Sequence, residues 1–256
     1  MNQQAKGDYE EVAWGRESAR VAFFGGSFDP PHLGHLAVAR AARAALGLDM
    51  VLFAPVGAQP LKPERSAASF EDRLAMTRLA IEGEPGFEVS LADAPKPARA
   101  PNFTLETLQA VRDGLGSEGV LFCLMGADSF FGLRQWHRAA EIPFVAPLIV
   151  ASRPGEQLDE LQAAMPEGLK LEPAPDASRN ESGVEVRAYR VVSVAGASAP
   201  LYVLPGLHVN ISATEIRRSI REKRRGAGVT VQASQKLVPK AIADYVQAHG
   251  LYSEPD

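Results

Sequence analysis

A doubly wound α/β fold, in which a parallel sheet carries helices on both faces, is what these 256 residues predict. Three observations carry that expectation. Short apolar runs alternate with helix-period stretches of about 10 to 15 residues, the rhythm of strands joined by crossover helices. Two of the runs, VLFCLM (120–125) and PLIVA (147–151), are apolar throughout, as strands buried on both faces require. The first run, Val21 to Phe24, is stopped by Gly25-Gly26 shortly before an Ala-rich helical stretch, which is a strand, a turn and a helix.

The elements follow in order. Strand signals lie at Val21–Phe24, Met50–Ala54, Phe87–Ser90, Val120–Met125 and Phe144–Ala151, and helical periodicity at Leu33–Leu46, Phe70–Ile81 and Leu105–Leu115. Gly47 supplies the stop for the first helix. Residues 154–183 are rich in Pro, Ala and Glu with weak periodicity, and are expected to form a surface insertion with one short helix. Strands at Val184–Val194 and Leu201–Leu204, then helices at Ser212–Lys223 and Pro239–His249, complete a single Rossmann-like domain over 20–252. Residues 1–19 precede the first strand and are expected to be a mobile extension.

Composition narrows the function classes. With 27 Lys plus Arg against 31 Asp plus Glu, the formal net charge is −4, which gives no drive toward nucleic acid. The one basic cluster, Arg217, Arg218, Arg221, Lys223, Arg224 and Arg225, is short and suits a solvated helix end. The longest stretch free of charged residues, Val191 to Thr214, is broken by Gly196, Pro200, Pro205 and Asn210, so no membrane span is expected. Residues 1–20 include Asp8, Glu10, Glu11 and Glu17 and no apolar core, unlike a signal peptide, so the expected location is the cytoplasm. The single cysteine, Cys123, sits in VLFCLM and is expected to be a buried, unreactive thiol.

The chemistry concentrates in Gly25-Gly26-Ser27-Phe28-Asp29-Pro30-Pro31-His32-Leu33-Gly34-His35, between the first strand and the first helix. Glycines there let the backbone approach a phosphate, and a helix N-terminus beside it adds amides and partial positive charge. His32 and His35, three apart, put two imidazoles beside that anion site, where both could donate to a phosphoryl group. Two plainer readings stand beside this one. Zinc is disfavoured because no third and fourth ligand follow at the usual spacing, and a purely structural histidine pair fits less well next to the glycine turn. A second segment, Ser212 with Glu215 three residues on, is a capping box that opens a helix toward an anion, and Arg217 one turn later could bridge phosphates.

GGSFDPPHLGH resembles the H-x-G-H signature of the nucleotidyltransferase superfamily, and Ile211-Ser212-Ala213-Thr214-Glu215-Ile216-Arg217 is similar to its I-S-S-T-x-I-R, with Ala213 in place of the second serine. Within that superfamily, residues 21–252 resemble the bacterial nicotinate-mononucleotide adenylyltransferases. The resemblance implies that ATP, carried with Mg²⁺, lies over Gly25, Gly26, Ser27 and Phe28 and is held by Asp128, Ser212 and Thr214, with His32, His35 and Arg217 catalytic. It implies an acceptor site for nicotinate mononucleotide formed by Lys62, Phe103, Thr104 and Trp136, where Asn102-Phe103-Thr104 stands for the family's Ser-Tyr-Thr and Trp136 stacks on the pyridine ring. No protein metal site is implied. The product would be nicotinate adenine dinucleotide with release of pyrophosphate, by direct in-line displacement.

Alternatives stay open at this level. One is a sister adenylyltransferase acting on phosphopantetheine or nicotinamide mononucleotide, although the phosphopantetheine enzymes are shorter and lack an equivalent of Trp136 with Asn102-Phe103-Thr104. Another is a nucleotide-binding module without chemistry, which would not need both imidazoles. Residue letters leave a monomer and a homo-oligomer equally open. The literal GxGxxG at 114–119 precedes a strand and is therefore a helix-to-strand turn, and no P-loop motif occurs.

Overall fold

The computed structural model of the chain describes residues 19–59, 66–152, 158–181, 183–207, 211–224 and 237–253. Strand β1 (Arg20–Gly26) leads into helix α1 (Leu33–Leu46), β2 (Met50–Pro55), α2 (Phe70–Ile81) and β3 (Phe87–Val89). Then come α3 (Thr104–Gly114), β4 (Val120–Gly126), α4 (Ala127–Phe131), α5 (Ile142–Val145) and β5 (Leu148–Ala151). The last part holds α6 (Leu158–Ala164), β6 (Leu169–Pro173), β7 (Arg179–Glu181), β8 (Val184–Ser193), β9 (Ser198–Leu204), α7 (Ala213–Arg224) and α8 (Lys240–Ala248).

The strands lie in the order β3-β2-β1-β4-β5-β9-β8-β6, with β7 also pairing to β8. All pairings from β3 to β9 are parallel, and β8 pairs antiparallel with β9, β6 and β7. From β1 the chain first winds outward through β2 and β3, then returns to place β4 on the other side of β1. The winding reverses at β1, and sheets of this type bind ligands beyond the carboxyl ends of the strands at such a point.

Alternation along the central strands builds one core on each face. Ala22, Phe24, Val51, Phe53, Phe122 and Leu124 face α1, α2 and α8, whereas Val21, Phe23, Leu52, Ala54, Leu121 and Cys123 face α3, α5 and α6. Helix α1 fits closely because Ala39, Ala42 and Ala45, all fully buried, let it approach the sheet. It ends where Gly47 turns left-handed at φ 58° and donates its N–H to Arg43 O. In α2 the cap is side-chain made, since Ser69 Oγ accepts from Asp72 N at 3.0 Å.

Two expectations are corrected. The strand expected at Phe144–Ala151 starts only at Leu148, because Pro143 in the first turn of α5 presets a helical φ for residues 142–145. Nor is 154–183 confined to the surface: its short helix forms as α6, but Leu169–Pro173 pairs with β8 as the edge strand β6. Leu161, Ala164, Met165, Leu169 and Leu171 are buried in the second core. Gln162 ties this unit together by accepting from Leu171 N at 2.7 Å and donating to Leu169 O at 3.2 Å. The extension expected over 1–19 lies outside the described residues except for Ala19.

Leu161, 2% exposed, therefore tests the status of this segment. Leu161→Ala is expected to lower unfolding stability in urea by about 2–4 kcal/mol, as for a core leucine. A surface insertion would lose less than about 0.5 kcal/mol.

Candidate active site

The segment from β1 to α1 is held by hydrogen bonds at Ser27, Asp29, His32 and Leu33. Gly25 and Gly26 are still strand, paired with Ala54 and Pro55 of β2. The glycines are needed for room and not for a turn: a Cβ on Gly25 would sit 2.9 Å from the Phe23 ring, and one on Gly26 3.2 Å from the Phe28 ring. The turn comes later, at Phe28, whose φ of 48° is left-handed, followed by a cis Asp29-Pro30 bond. Phe28 is nearly fully buried, edge-on to Phe24 at 5.6 Å and to His35 at 4.9 Å. That aromatic packing holds the unfavourable backbone in place.

His32 caps α1 and His35 lies in its first turn, their rings stacked at 3.7 Å between centroids. The His32 backbone N–H donates to His35 Nδ1 at 3.1 Å. Nδ1 must therefore carry a lone pair, so the neutral ring bears its proton on Nε2, the atom left to donate elsewhere. Burial lowers the pKa of His32 from 6.5 to about 4. His35 is held well below its ordinary value, first by burial and then by the neighbouring His32. Both imidazoles are thus neutral donors at neutral pH, and an arriving anion would favour their protonation. The expected amides of α1 are partly spoken for, because Leu33 N donates to Leu237 O at 2.9 Å and His35 N to His32 O at 2.9 Å.

Helix α7 reaches the same loop. Ser212 Oγ accepts from Glu215 N at 3.2 Å, the expected cap, and Arg217 then donates from Nη1 to Asp29 O at 2.8 Å across 188 residues of sequence. Thr214 Oγ1 lies 3.5 Å from Arg217 Nη2. The two signature segments are therefore one site, joined through Asp29. The carboxylate of Asp29, 4% exposed, accepts from Ala67 N at 2.7 Å, Ala68 N at 3.2 Å and the Tyr252 hydroxyl at 2.7 Å. Arg73, 2% exposed, donates to Ser27 O at 2.6 Å and to Val56 O at 2.8 Å, bracing the ends of β1 and β2 from beneath.

Beyond β2 a second wall takes shape. Buried Asn102 accepts from Ala58 N at 3.1 Å and donates to Asp93 O and Ala94 O at 3.1 and 2.9 Å. Thr107 donates to Asp93 Oδ1 at 2.9 Å, and burial raises the pKa of that carboxylate. Gly57 runs against this loop so closely that a Cβ would meet the Pro95 backbone at 2.5 Å. Together these bonds place Phe103 and Thr104 at the N-terminus of α3, whose N-cap Phe103 offers no side-chain acceptor. The Phe103 ring packs on His137 at 4.4 Å, next to half-buried Trp136. Asp128 is exposed in the first turn of α4, just past β4 and beside β1 in the sheet.

The structure thus joins Thr214 and Arg217 of α7 to the loop that carries Ser27, Phe28, His32 and His35, and sets Phe103 and Thr104, at the start of α3, against His137, with adjacent Trp136 packed on the second core. Lys62 lies outside the described residues. Sequence reasoning missed Arg73, Tyr252 and the work of Asp29 and Asn102. Asp29 stood inside the quoted motif, but its burial has no signal in its letter. Arg73 on a helix reads as an ordinary solvated cation.

Known proteins resemble the chain along most of its length. A model of the cytidylyltransferase-like family matches residues 23–219. A protein of Roseiflexus sp. (strain RS-1) named "Probable nicotinate-nucleotide adenylyltransferase" is 35% identical over 240 residues, covering 92% of this chain and 98% of its own. The chain belongs to the nicotinate-nucleotide adenylyltransferase family, within the cytidylyltransferase-like proteins. Another member of that family, from Laribacter hongkongensis, is 36% identical over 232 residues, covering 91% of this chain and 94% of its own. The fold is shared with Plasmodium falciparum nicotinic acid mononucleotide adenylyltransferase, solved as a complex with NaAD: the TM-score is 0.63 at 13% identity, over 91% of this chain and 97% of that one.

The lowered histidine pKa values set a pH dependence of stability. With His32 at about 4 in the fold and near 6.5 unfolded, the unfolded chain binds more protons between those values. Stability contributed by the neutral ring is complete above pH 6.5 and is lost as pH falls toward 4. Between pH 7 and 4.5, denaturant unfolding should show wild type losing about 2 kcal/mol more than His32→Gln. Parallel curves would contradict the buried neutral imidazole.

Proposed function

We propose that this chain transfers the adenylyl group of ATP to nicotinate mononucleotide, forming nicotinate adenine dinucleotide and pyrophosphate. The observation that carries the reading is the pair of stacked, neutral imidazoles tied to the same loop as Arg217, with an aromatic wall beside it. The names of the family relatives supply the acceptor.

Such a site suits in-line displacement. An oxygen of the mononucleotide phosphate attacks the α-phosphorus of ATP, the bond from that phosphorus to the bridging oxygen breaks, and pyrophosphate leaves. Negative charge grows on the leaving oxygens, which is where the Nε2 proton of His35, His32 and the Arg217 guanidinium would donate. A covalent relay through cysteine does not fit, because Cys123 is buried and its pKa is pushed up to about 12. Alignment and charge stabilisation then carry the rate.

The other residues divide between the two substrates. Gly25, Gly26, Ser27 and Phe28 would floor the nucleotide site, with Ser212 and Thr214 at its α7 side and Asp128 on a ribose hydroxyl. Trp136 would stack on the pyridine ring, and the Thr104 end of α3 would meet the nicotinate carboxylate through first-turn amides. Lys62 would face a phosphate. Mg²⁺ would enter as the partner of ATP, held by phosphate oxygens and water as this ion prefers. Among the described residues, no group of three or more His, Cys, Asp or Glu could hold a metal ion. No helix of the described residues is long and apolar enough to cross a membrane.

Pyrophosphate release with MgATP tests the reading when nicotinate mononucleotide, nicotinamide mononucleotide and phosphopantetheine are offered separately. The first should be used well above the others, and His35→Ala should cut its turnover by about 100-fold to 1,000-fold. Preference for either other acceptor, or turnover that survives the substitution, would overturn it.

A further inference from the structure

The carboxyl-terminal segment grips the catalytic loop at two points. Leu237, ahead of α8, accepts from the amide of Leu33 at 2.9 Å, at the first residue of α1. Tyr252, beyond α8, donates its hydroxyl to Asp29 Oδ1 at 2.7 Å. Between them α8 lies along α2, where Tyr245 donates to Asp72 Oδ1 at 3.0 Å. The two ends of the clasp therefore bracket residues 29–33, the stretch that turns β1 into the histidine pair.

Tyr252 is 5% exposed, and its backbone is left-handed at φ 59°, a conformation that a tyrosine adopts only when its surroundings compel it. The turn after Gly250 sends the ring inward over Met76 Sδ, 4.0 Å from the hydroxyl. Burial and the Asp29 charge both raise its pKa, so the hydroxyl stays a donor. Its acceptor is the residue whose carbonyl takes the Arg217 guanidinium at 2.8 Å. A shift of Asp29 is felt directly at Arg217, since carboxylate and carbonyl belong to one residue fixed at both ends.

We propose that Tyr252 is a positioning residue for adenylyl transfer: its hydroxyl fixes Asp29, and Asp29 fixes the Arg217 guanidinium for the triphosphate. Its kinetic readout rests on the reaction proposed above. The role differs from that of Tyr245, whose hydroxyl bonds to α2 and touches no part of the loop.

A double-mutant cycle separates positioning from mere stability. Tyr252→Phe should keep the circular dichroism of wild type and lower kcat about tenfold, the worth of a lost hydrogen bond, with the acceptor KM within about twofold. Tyr245→Phe should lose similar stability while keeping wild-type kcat. In an Arg217→Ala background, adding Tyr252→Phe should change kcat by less than about twofold, because the group it positions is gone. Unchanged kcat in Tyr252→Phe, or a full tenfold loss also without Arg217, would overturn the proposal. Should wild type turn over none of the acceptors, the reaction fails on its own account. The same four proteins, wild type, each single variant and the double variant, then report through calorimetric affinity for MgATP. Non-additive losses there support the linkage and additive losses refute it.

Discussion

A carboxylate cannot sit 4% exposed inside a protein unless donors surround it, and Asp29 gathers them from the whole length of the chain. Two amides come from residues 67 and 68, and a hydroxyl comes from Tyr252. The carbonyl of the same residue accepts from Arg217 of α7. Arg73 holds the carbonyls of Ser27 and Val56 close by. Because these partners are far apart in sequence and buried together, the loop between β1 and α1 is complete only when the domain is. The geometry of the loop is thereby tied to the packing of the core.

The electrostatics of the site follow from that burial. A packed loop excludes water, and exclusion of water strips the imidazoles of charge, so His32 and His35 wait as neutral donors. The guanidinium of Arg217 is tied to the same loop through the carbonyl of Asp29. Neutral rings carry a smaller desolvation cost than two imidazolium rings 3.7 Å apart would. The start of α3 is held by different means, a neutral amide clamp at Asn102 and ring packing of Phe103 on His137.

Much of this was legible in the sequence, and the residues show why. Helices α1 and α2 match their expected bounds because periodicity, Ser69 and Gly47 agree with one another. The turn expected at Gly25-Gly26 belongs instead to Phe28, because both glycines still pair with β2 and a side chain at either would crowd Phe23 or Phe28. Residues 158–173 misled because short amphipathic strands at a sheet edge carry little periodicity, and their pairing with β8 is a tertiary fact. Asp29, Arg73 and Tyr252 were silent for a related reason. Their partners are backbone groups or distant side chains, and no local pattern announces a contact across 188 or 223 residues.

His32 and His35 form a stacked pair of neutral imidazoles, with the His35 ring ordered by the His32 amide. Nitrogen-detected NMR of the histidine rings in the ligand-free protein tests it most directly, by titrating from pH 8 downward. The account predicts His35 in the Nε2-protonated neutral form at pH 7, with no titration until well below 6.5, and His32 titrating near pH 4. A His35 ring that carries its proton on Nδ1, or a pair that both titrate near 6.5, would contradict it.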